Sequence, residues 1–433
     1  MDRNETRSLL GFFRNQLTDE LLSFWMPRCL DRENGGYFNC FTNDGSRLIS
    51  RDKYVWSQGR FVWVFSRLSQ MEGGTFTKAQ RKTFLEYARN GRDFLMKNVL
   101  IGEDDWRCAF LLEADGTPKY SKGCDALDAG IAADCFVASG LARYSLAAND
   151  PESWMFAKKL YDSILDRYEK GSYHSMPYPL STDYQDHGKP MGLTNVSTEL
   201  LEAAKVFDVD YCGKILSCID HCASSVFEEF TDENNLVHEF KYAQGGFSQN
   251  LFGQHINPGH TLEDMWFQLE AMDQRGDSRY FDKLAAITKK TLETGWDKEF
   301  GGLYHFITCD GKPGMEGDVG DAKNEPQMHL VRDDWGSKLW WVHSEALYTT
   351  LLLYDRTGDP ELLQWFYRIF DYTYDVFPNP DREIREWIQI RMRDGRPQEK
   401  VVALPVKDPY HILRNTLLCV ELLEKRLRKQ SRK

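Results

Sequence analysis

The chain has 433 residues, 42% of them apolar, enough for one large core or for two to three ordinary domains. Its 66 acidic side chains outnumber 54 basic ones, and no basic block occurs before the final KRLRKQSRK, which argues against a nucleic-acid partner and favours small neutral ligands. No apolar run reaches the roughly 20 residues of a membrane span and the first residues lack a signal-peptide pattern, so a cytoplasmic protein with no membrane partner is expected.

In chain order, the first alternating stretch is GGYFNCFTNDGSRLI, with a glycine turn near 45. A helical pattern follows on Phe61, Val64, Phe65 and Leu68. The second stretch, WRCAFLLEADGTPKY, turns near 116, and two weaker relatives place turns near 188 and 245. Cys218 and Cys222 lie four apart beside His221, but no matching Cys/His pair follows, and the ten cysteines read mostly as small buried hydrophobes. Leu262, Met265, Trp266 and Leu269 mark another helix, GGLYHFITCDGKPGM turns near 311, and Leu347, Thr350, Leu351 and Tyr354 mark a further helix. EWIQIRMRDGRPQEK supplies the last turn, near 395.

The turns recur at a mean spacing of roughly 70 residues, room for two helices and a hairpin per unit. Six helical hairpins that cannot bury their apolar faces singly can do so by closing into a double ring. An all-α (α/α)6 barrel is therefore expected over residues 1–433 as one domain, with short β-hairpins gathered at one rim and a cleft at the mouth of the inner ring.

Polar and aromatic residues cluster where inner helices should begin. Lys53, Trp56, Gln58 and Arg60 open the first such helix; Trp340, Trp341, His343 and Glu345 open a later one; His411 and Arg414 open the last. In HINPGHTLEDMWF, Thr261 and Asp264 suggest a capping box, with His260 just outside it and Glu263 in the first turn. His260 and Glu263 at i, i+3 could share a cation, but no second HxxE or HxxxH appears, so no metal is expected.

These residues carry a resemblance to the N-acylglucosamine 2-epimerase family. It runs from about Asp31 to Leu423 through KYVWSQGRFVWVFSRL, ADCFVASGLARYSLAANDPE, NPGHTLEDMWF, WDKEFGGLYHF, KLWWVHSEALYTTLLLYDRTGD and PYHILRNTLLC. The resemblance implies an (α/α)6 barrel, a small-molecule sugar as partner, no redox or other cofactor, and a homodimer. It further implies Arg60 at the substrate oxygens, His260 and His411 as the acid/base pair, and Glu263 supporting His260 or a sugar hydroxyl. Trp56, Gln58, Trp340 and His343 resemble other cleft-lining positions. Asn195 and Glu199 stand where some branches place a histidine.

The implied function is cofactor-independent inversion of C2 of an aldose, with N-acylglucosamine and N-acylmannosamine as the leading pair. Ring opening makes the C2 proton α to a carbonyl, and a histidine of pKa about 6.5 can remove or return it near neutral pH. Aldose–ketose isomerisation, or 2-epimerisation of mannose, glucose or cellobiose, is the alternative. A two-carboxylate glycoside hydrolase on the same barrel and an inactive binding protein are the rivals from other classes.

Overall fold

The computed structural model describes residues 1–402 and 404–431. In chain order its long helices are α1 (Arg3–Asn15, continued by a π-helical stretch Gln16–Leu22 and by Ser23–Arg28), α2 (Val55–Gln70), α3 (Lys78–Asn98), α4 (Ala132–Ala148), α5 (Pro151–Lys170) and α6 (Gly188–Phe207). There follow α7 (Cys212–Ser224), α8 (Pro258–Arg275), α9 (Phe281–Gly295), α10 (Trp340–Thr357), α11 (Pro360–Val376) and α12 (Tyr410–Gln430). The even-numbered helices form a closed inner ring in which each packs on the next and α12 returns to α2. Each odd-numbered helix from α3 to α11 packs outside the helix before it, and α1 covers α12. The fold is the (α/α)6 barrel, offset so that the first helix is the outer partner of the last.

The two rings have different sequences for a physical reason. An outer helix meets protein on one side only, and α3 buries just the stripe Phe84, Ala88, Gly91, Phe94 and Leu95. An inner helix is enclosed, and α4 buries almost every residue from Ala133 to Ser145. Gly59 and Gly140 let α2 and α4 touch backbone to backbone: a Cβ on Gly59 would lie 2.4 Å from the Phe136 carbonyl oxygen. Among the described residues no helix is long and apolar enough to cross a membrane, and the ten cysteines are free.

At the rim, five of the expected turns are present. Gly45, Gly116, Gly245, Gly311 and Gly395 are left-handed, each donating its N–H to a carbonyl three residues earlier. The turn expected near 188 is absent, because Gly188 starts α6. The strands also pair across units rather than only within one hairpin: Lys53–Tyr54 with Leu111–Leu112, Tyr184–Asp186 with Phe240–Tyr242, His255–Ile256 with Ile307–Thr308, and Lys338–Leu339 with Ile390–Arg391.

One rim device recurs three times. Asp31, Asp297 and Asp381 each accept N–H bonds from the residues two and three further on. Two left-handed residues then follow: Gly35–Gly36, Gly301–Gly302 and Arg385–Glu386. The next N–H points into protein and needs an acceptor. Tyr37 donates to Gln58 Oε1 (2.8 Å) and Leu303 to His343 Nε2 (2.9 Å). Trp387 donates to the carboxylate of Glu386 itself (2.6 Å). A Cβ on Gly36 or Gly302 would lie 2.8 Å from the Gln58 or His343 acceptor atom, so glycine is required where the helix supplies the acceptor. A buried lysine completes each copy: Lys53 on Asp31 (2.7 Å), Lys338 on Asp297 (3.0 Å) and Lys407 on Glu386 (2.6 Å).

Gln58 and His343 are thus equivalent, which gives a test. His343→Gln keeps an acceptor for the Leu303 N–H and should retain stability to within about 1 kcal/mol. His343→Leu leaves that buried donor unpaired and should cost roughly 1–3 kcal/mol, read as a shift in the denaturant midpoint.

Candidate active site

The inner ring opens at the hairpin rim into a cavity of about 290 Å³. Its wall comes from the N-terminal ends of all six inner helices and the strands before them: Trp56 and Arg60, Phe136, Asn195, His260 and Glu263, Trp340 and Trp341, Asp408 and His411. Among the residues expected from sequence, Arg60, His260, His411, Trp56, Asn195, Glu263 and Trp340 stand on this wall.

Four expected residues do not reach it. Lys53 is fully buried, its ammonium held by Asp31 and the carbonyls of Gly35 and Ala114 (both 2.6 Å). Gln58 spends its amide on both backbone groups of Tyr37. His343 faces Tyr372 on the outer helix α11, ring centroids 5.2 Å apart. It donates Nδ1–H to Leu339 O (2.8 Å), and burial holds its pKa down to about 3. Glu199 lies beyond Asn195 along α6, paired with Arg143 (2.6 Å). Helical geometry explains two of these: at about 100° per residue, Gln58 lies on the side of α2 opposite Trp56, and His343 is turned away from Trp341.

Two of the wall's histidines, His260 and His411, are each backed by a carboxylate. The N-cap of α8 is Asn257, whose side chain accepts the His260 N–H (3.2 Å), so the helix starts earlier than a Thr261 cap would place it. Asp264, rather than closing a capping box, pairs with His187 Nε2 (2.7 Å) and Gln268. His260 Nδ1 lies 2.7 Å from Glu239 Oε1. His411 Nδ1 lies 2.6 Å from Glu345 Oε1, while Trp266 Nε1 donates to the other oxygen of Glu345 (2.7 Å). A carboxylate only accepts, so each ring carries a proton on Nδ1, which leaves Nε2 as the atom that can take up or give back a second one. Trp341 stands beside both rings, its centroid 5.2 Å from His260 and 5.8 Å from His411.

The electrostatics agree with ionised partners. Burial disfavours the Glu345 carboxylate, yet Arg414 and His411 bring its pKa down to about 2. Burial also disfavours the His260 imidazolium, and Glu239 outweighs it, so the His260 pKa is raised. Glu263, Glu345 and His411 bring three possible ligand atoms within 4.8 Å of one another. The cation among them is the guanidinium of Arg414, 2.5 Å from both glutamates. Glu263 is hydrogen-bonded on the His411 side of the cavity, through Arg414, and reaches His260 only through its charge.

Arg60 is held flat by aromatic rings, its guanidinium 4.0 Å from the Phe136 centroid and 4.5 Å from that of Trp56. Asp408 accepts from Arg60 Nη1 (3.2 Å), Trp340 Nε1 (3.1 Å) and the His411 N–H (3.1 Å), and so fixes three wall residues together. Sequence reading assigned no role to Glu239 or Asp408, and took Glu345 and Arg414 only as neighbours of the histidines. Their partners lie far away in the chain, where helical spacing cannot find them.

Two carboxylate-backed imidazoles and a clamped guanidinium thus stand around one mostly apolar cavity, an arrangement able to move protons. The profile of the N-acylglucosamine 2-epimerase (GlcNAc 2-epimerase) family matches residues 36–415. The chain is 30% identical to N-acylglucosamine 2-epimerase of Bos taurus, covering 94% of this chain and 89% of that protein. The Homo sapiens N-acylglucosamine 2-epimerase is also 30% identical, over 98% of this chain and 92% of its own length. The cellobiose 2-epimerase structure from Bacillus thermoamylovorans superposes with a TM-score of 0.74, at 20% identity, over 97% of this chain and 100% of that one. The chain belongs to the N-acylglucosamine 2-epimerase family, and is an isomerase of the sugar 2-epimerase class.

Glu239→Gln removes the charge that raises the His260 pKa. A base works only when deprotonated, so in the direction that uses His260 as base the acid limb of kcat/KM should move to lower pH. The plateau should fall by roughly 10²-fold as the ring loses its anchor. A pH profile that does not move would assign the acid limb to another group.

Proposed function

We propose that the protein interconverts N-acylglucosamine and N-acylmannosamine by inverting C2 of the open-chain sugar. The observation that carries this reading is the pair His260–Glu239 and His411–Glu345, two imidazoles on one cavity wall whose Nε2 atoms make no hydrogen bond to any described residue. After ring opening, one imidazole takes the C2 proton as the C–H electron pair moves into a C1–C2 double bond and charge collects on O1. The other histidine, which enters the step as an imidazolium with a proton on Nε2 as well, returns that proton to the opposite face of C2 while the carbonyl reforms, so the two rings exchange protonation states. Either histidine is the base, depending on direction. Arg60 stands on the cavity wall with its guanidinium held by Asp408, and is the donor for the O1 oxyanion. The names of the relatives, at 30% identity over nearly the whole chain, support the N-acyl substrate.

A glycosidase needs a carboxylic acid that stays protonated at the cavity. Glu345 is instead fully buried with a pKa of about 2, and His260 holds the Glu239 pKa below the usual range against the effect of burial.

The direct test is incubation with N-acetylglucosamine, N-acetylmannosamine, glucose, mannose, fructose and cellobiose in D₂O, followed by NMR. Deuterium at C2 of an N-acetylhexosamine with formation of its epimer is the expected result. A ketose product, or exchange confined to unsubstituted sugars, would overturn the substrate assignment. His260→Asn and His411→Asn should each lower turnover by roughly 10²–10⁴-fold, and Arg60→Lys by roughly 10²–10³-fold.

A further inference from the structure

Four rim strands share a position whose role becomes visible only when they are compared. Antiparallel bridges join Leu30 to Tyr37, Thr231 to Val237, Trp296 to Leu303 and Pro378 to Trp387. Two residues beyond each bridge stand Asn39, Glu239, His305 and Gln389, all buried polar side chains.

Three of the four are paired with the head of an inner helix. Asn39 Nδ2 donates to Ser57 Oγ of α2 (2.9 Å). Glu239 accepts from His260 of α8 (2.7 Å). Gln389 brackets Asp408, just before α12, donating to its carbonyl (2.7 Å) and accepting its N–H (2.9 Å).

His305 departs from this pattern. The corresponding head, that of α10, offers Trp341, whose ring stands edge-on to the imidazole at 6.1 Å. The other flat neighbour is Phe306, at 3.9 Å. His305 forms part of the cavity wall with Glu239, His260 and Trp341; its Nδ1 is closed off inside the protein, where the backbone of Asp334 lies beside the ring. It is only 4% exposed, and burial pushes its pKa down to about 3, so the ring is uncharged at working pH. With Nδ1 sealed, Nε2, which makes no hydrogen bond to any described residue, is the ring atom left for a molecule that fills the cavity.

We infer that His305 is a substrate-binding, specificity-determining residue whose imidazole makes one hydrogen bond to a hydroxyl or acylamino group of the sugar beside His260. This rests on the sugar 2-epimerase reading above. A sugar lacking that group leaves the imidazole unpaired in an apolar wall, so the residue discriminates among sugars more than it accelerates proton transfer.

The test is steady-state kinetics of His305→Phe and His305→Gln on N-acetylglucosamine, N-acetylmannosamine, glucose and mannose, with thermal unfolding of each variant. For the sugar the wild-type protein prefers, His305→Phe should raise KM about tenfold or more. Its preference over the other sugars should narrow, and the pH profile of kcat should stay unmoved. His305→Gln, which keeps a polar edge, should return KM to within about threefold of wild type. Kinetics of His305→Phe within twofold of wild type for every sugar would overturn the inference. So would an equal loss for all sugars that follows a lowered Tm and is not rescued by glutamine. Failure of the epimerase reading shows separately, as wild-type protein that exchanges no C2 proton in any of these sugars.

Discussion

Every inner helix of the barrel runs in the same direction, and the active site depends on this. Outer and inner helices alternate along the chain, so each return through an outer helix brings the next inner helix back to the same rim. Six helix N-termini consequently face one cavity. Each contributes the positive end of its dipole, an environment that favours an anion and disfavours an imidazolium. The carboxylates behind His260 and His411 offset this for those two rings.

Burial sets the second requirement. A charged or polar side chain at the head of an enclosed helix must be paired, and the pairing decides which side chains remain for chemistry. Lys53, Lys338 and Lys407 are all consumed in holding rim turns. Asp408 draws Arg60, Trp340 and the start of α12 to one carboxylate, so the guanidinium and the imidazole of His411 are positioned by the same group. Arg414 performs the matching task for Glu263 and Glu345.

The barrel was legible in the sequence because the repeat is written twice, in the spacing of its Gly turns and in the switch of apolar period between them. The heads of the inner helices were legible as well, since polar and aromatic residues collect there. Which of those residues turn inward was less so. Proximity to Trp340 and Trp341 made His343 look like a wall residue, whereas its angle around the helix directs it at Tyr372. Lys53 and Gln58 were misjudged on the same ground. Glu239 sits just before the strand Phe240–Tyr242, in a stretch that reads only as a weak hairpin, and its partner is 21 residues away. The usable signal was a comparison of rim strands two residues past each bridge, which needs the bridges to be known. The turn near 188 failed because a glycine beside a histidine reads alike whether it ends a hairpin or opens a helix.

The pairing of α1 with α12 bears on how the molecule is made. The outer surface of the last helix is covered by the first, so a nascent chain emerging from the ribosome carries α1 without its partner until nearly all of the remaining sequence has followed. Five hairpins can stack in order of synthesis, but the seam between the ends closes last and through a contact spanning almost the whole chain, the slowest kind to form. Until then α1 exposes the apolar stripe of Leu9, Leu10 and Phe13, which makes the N-terminal segment the part of the newborn protein most exposed to chaperones and to aggregation.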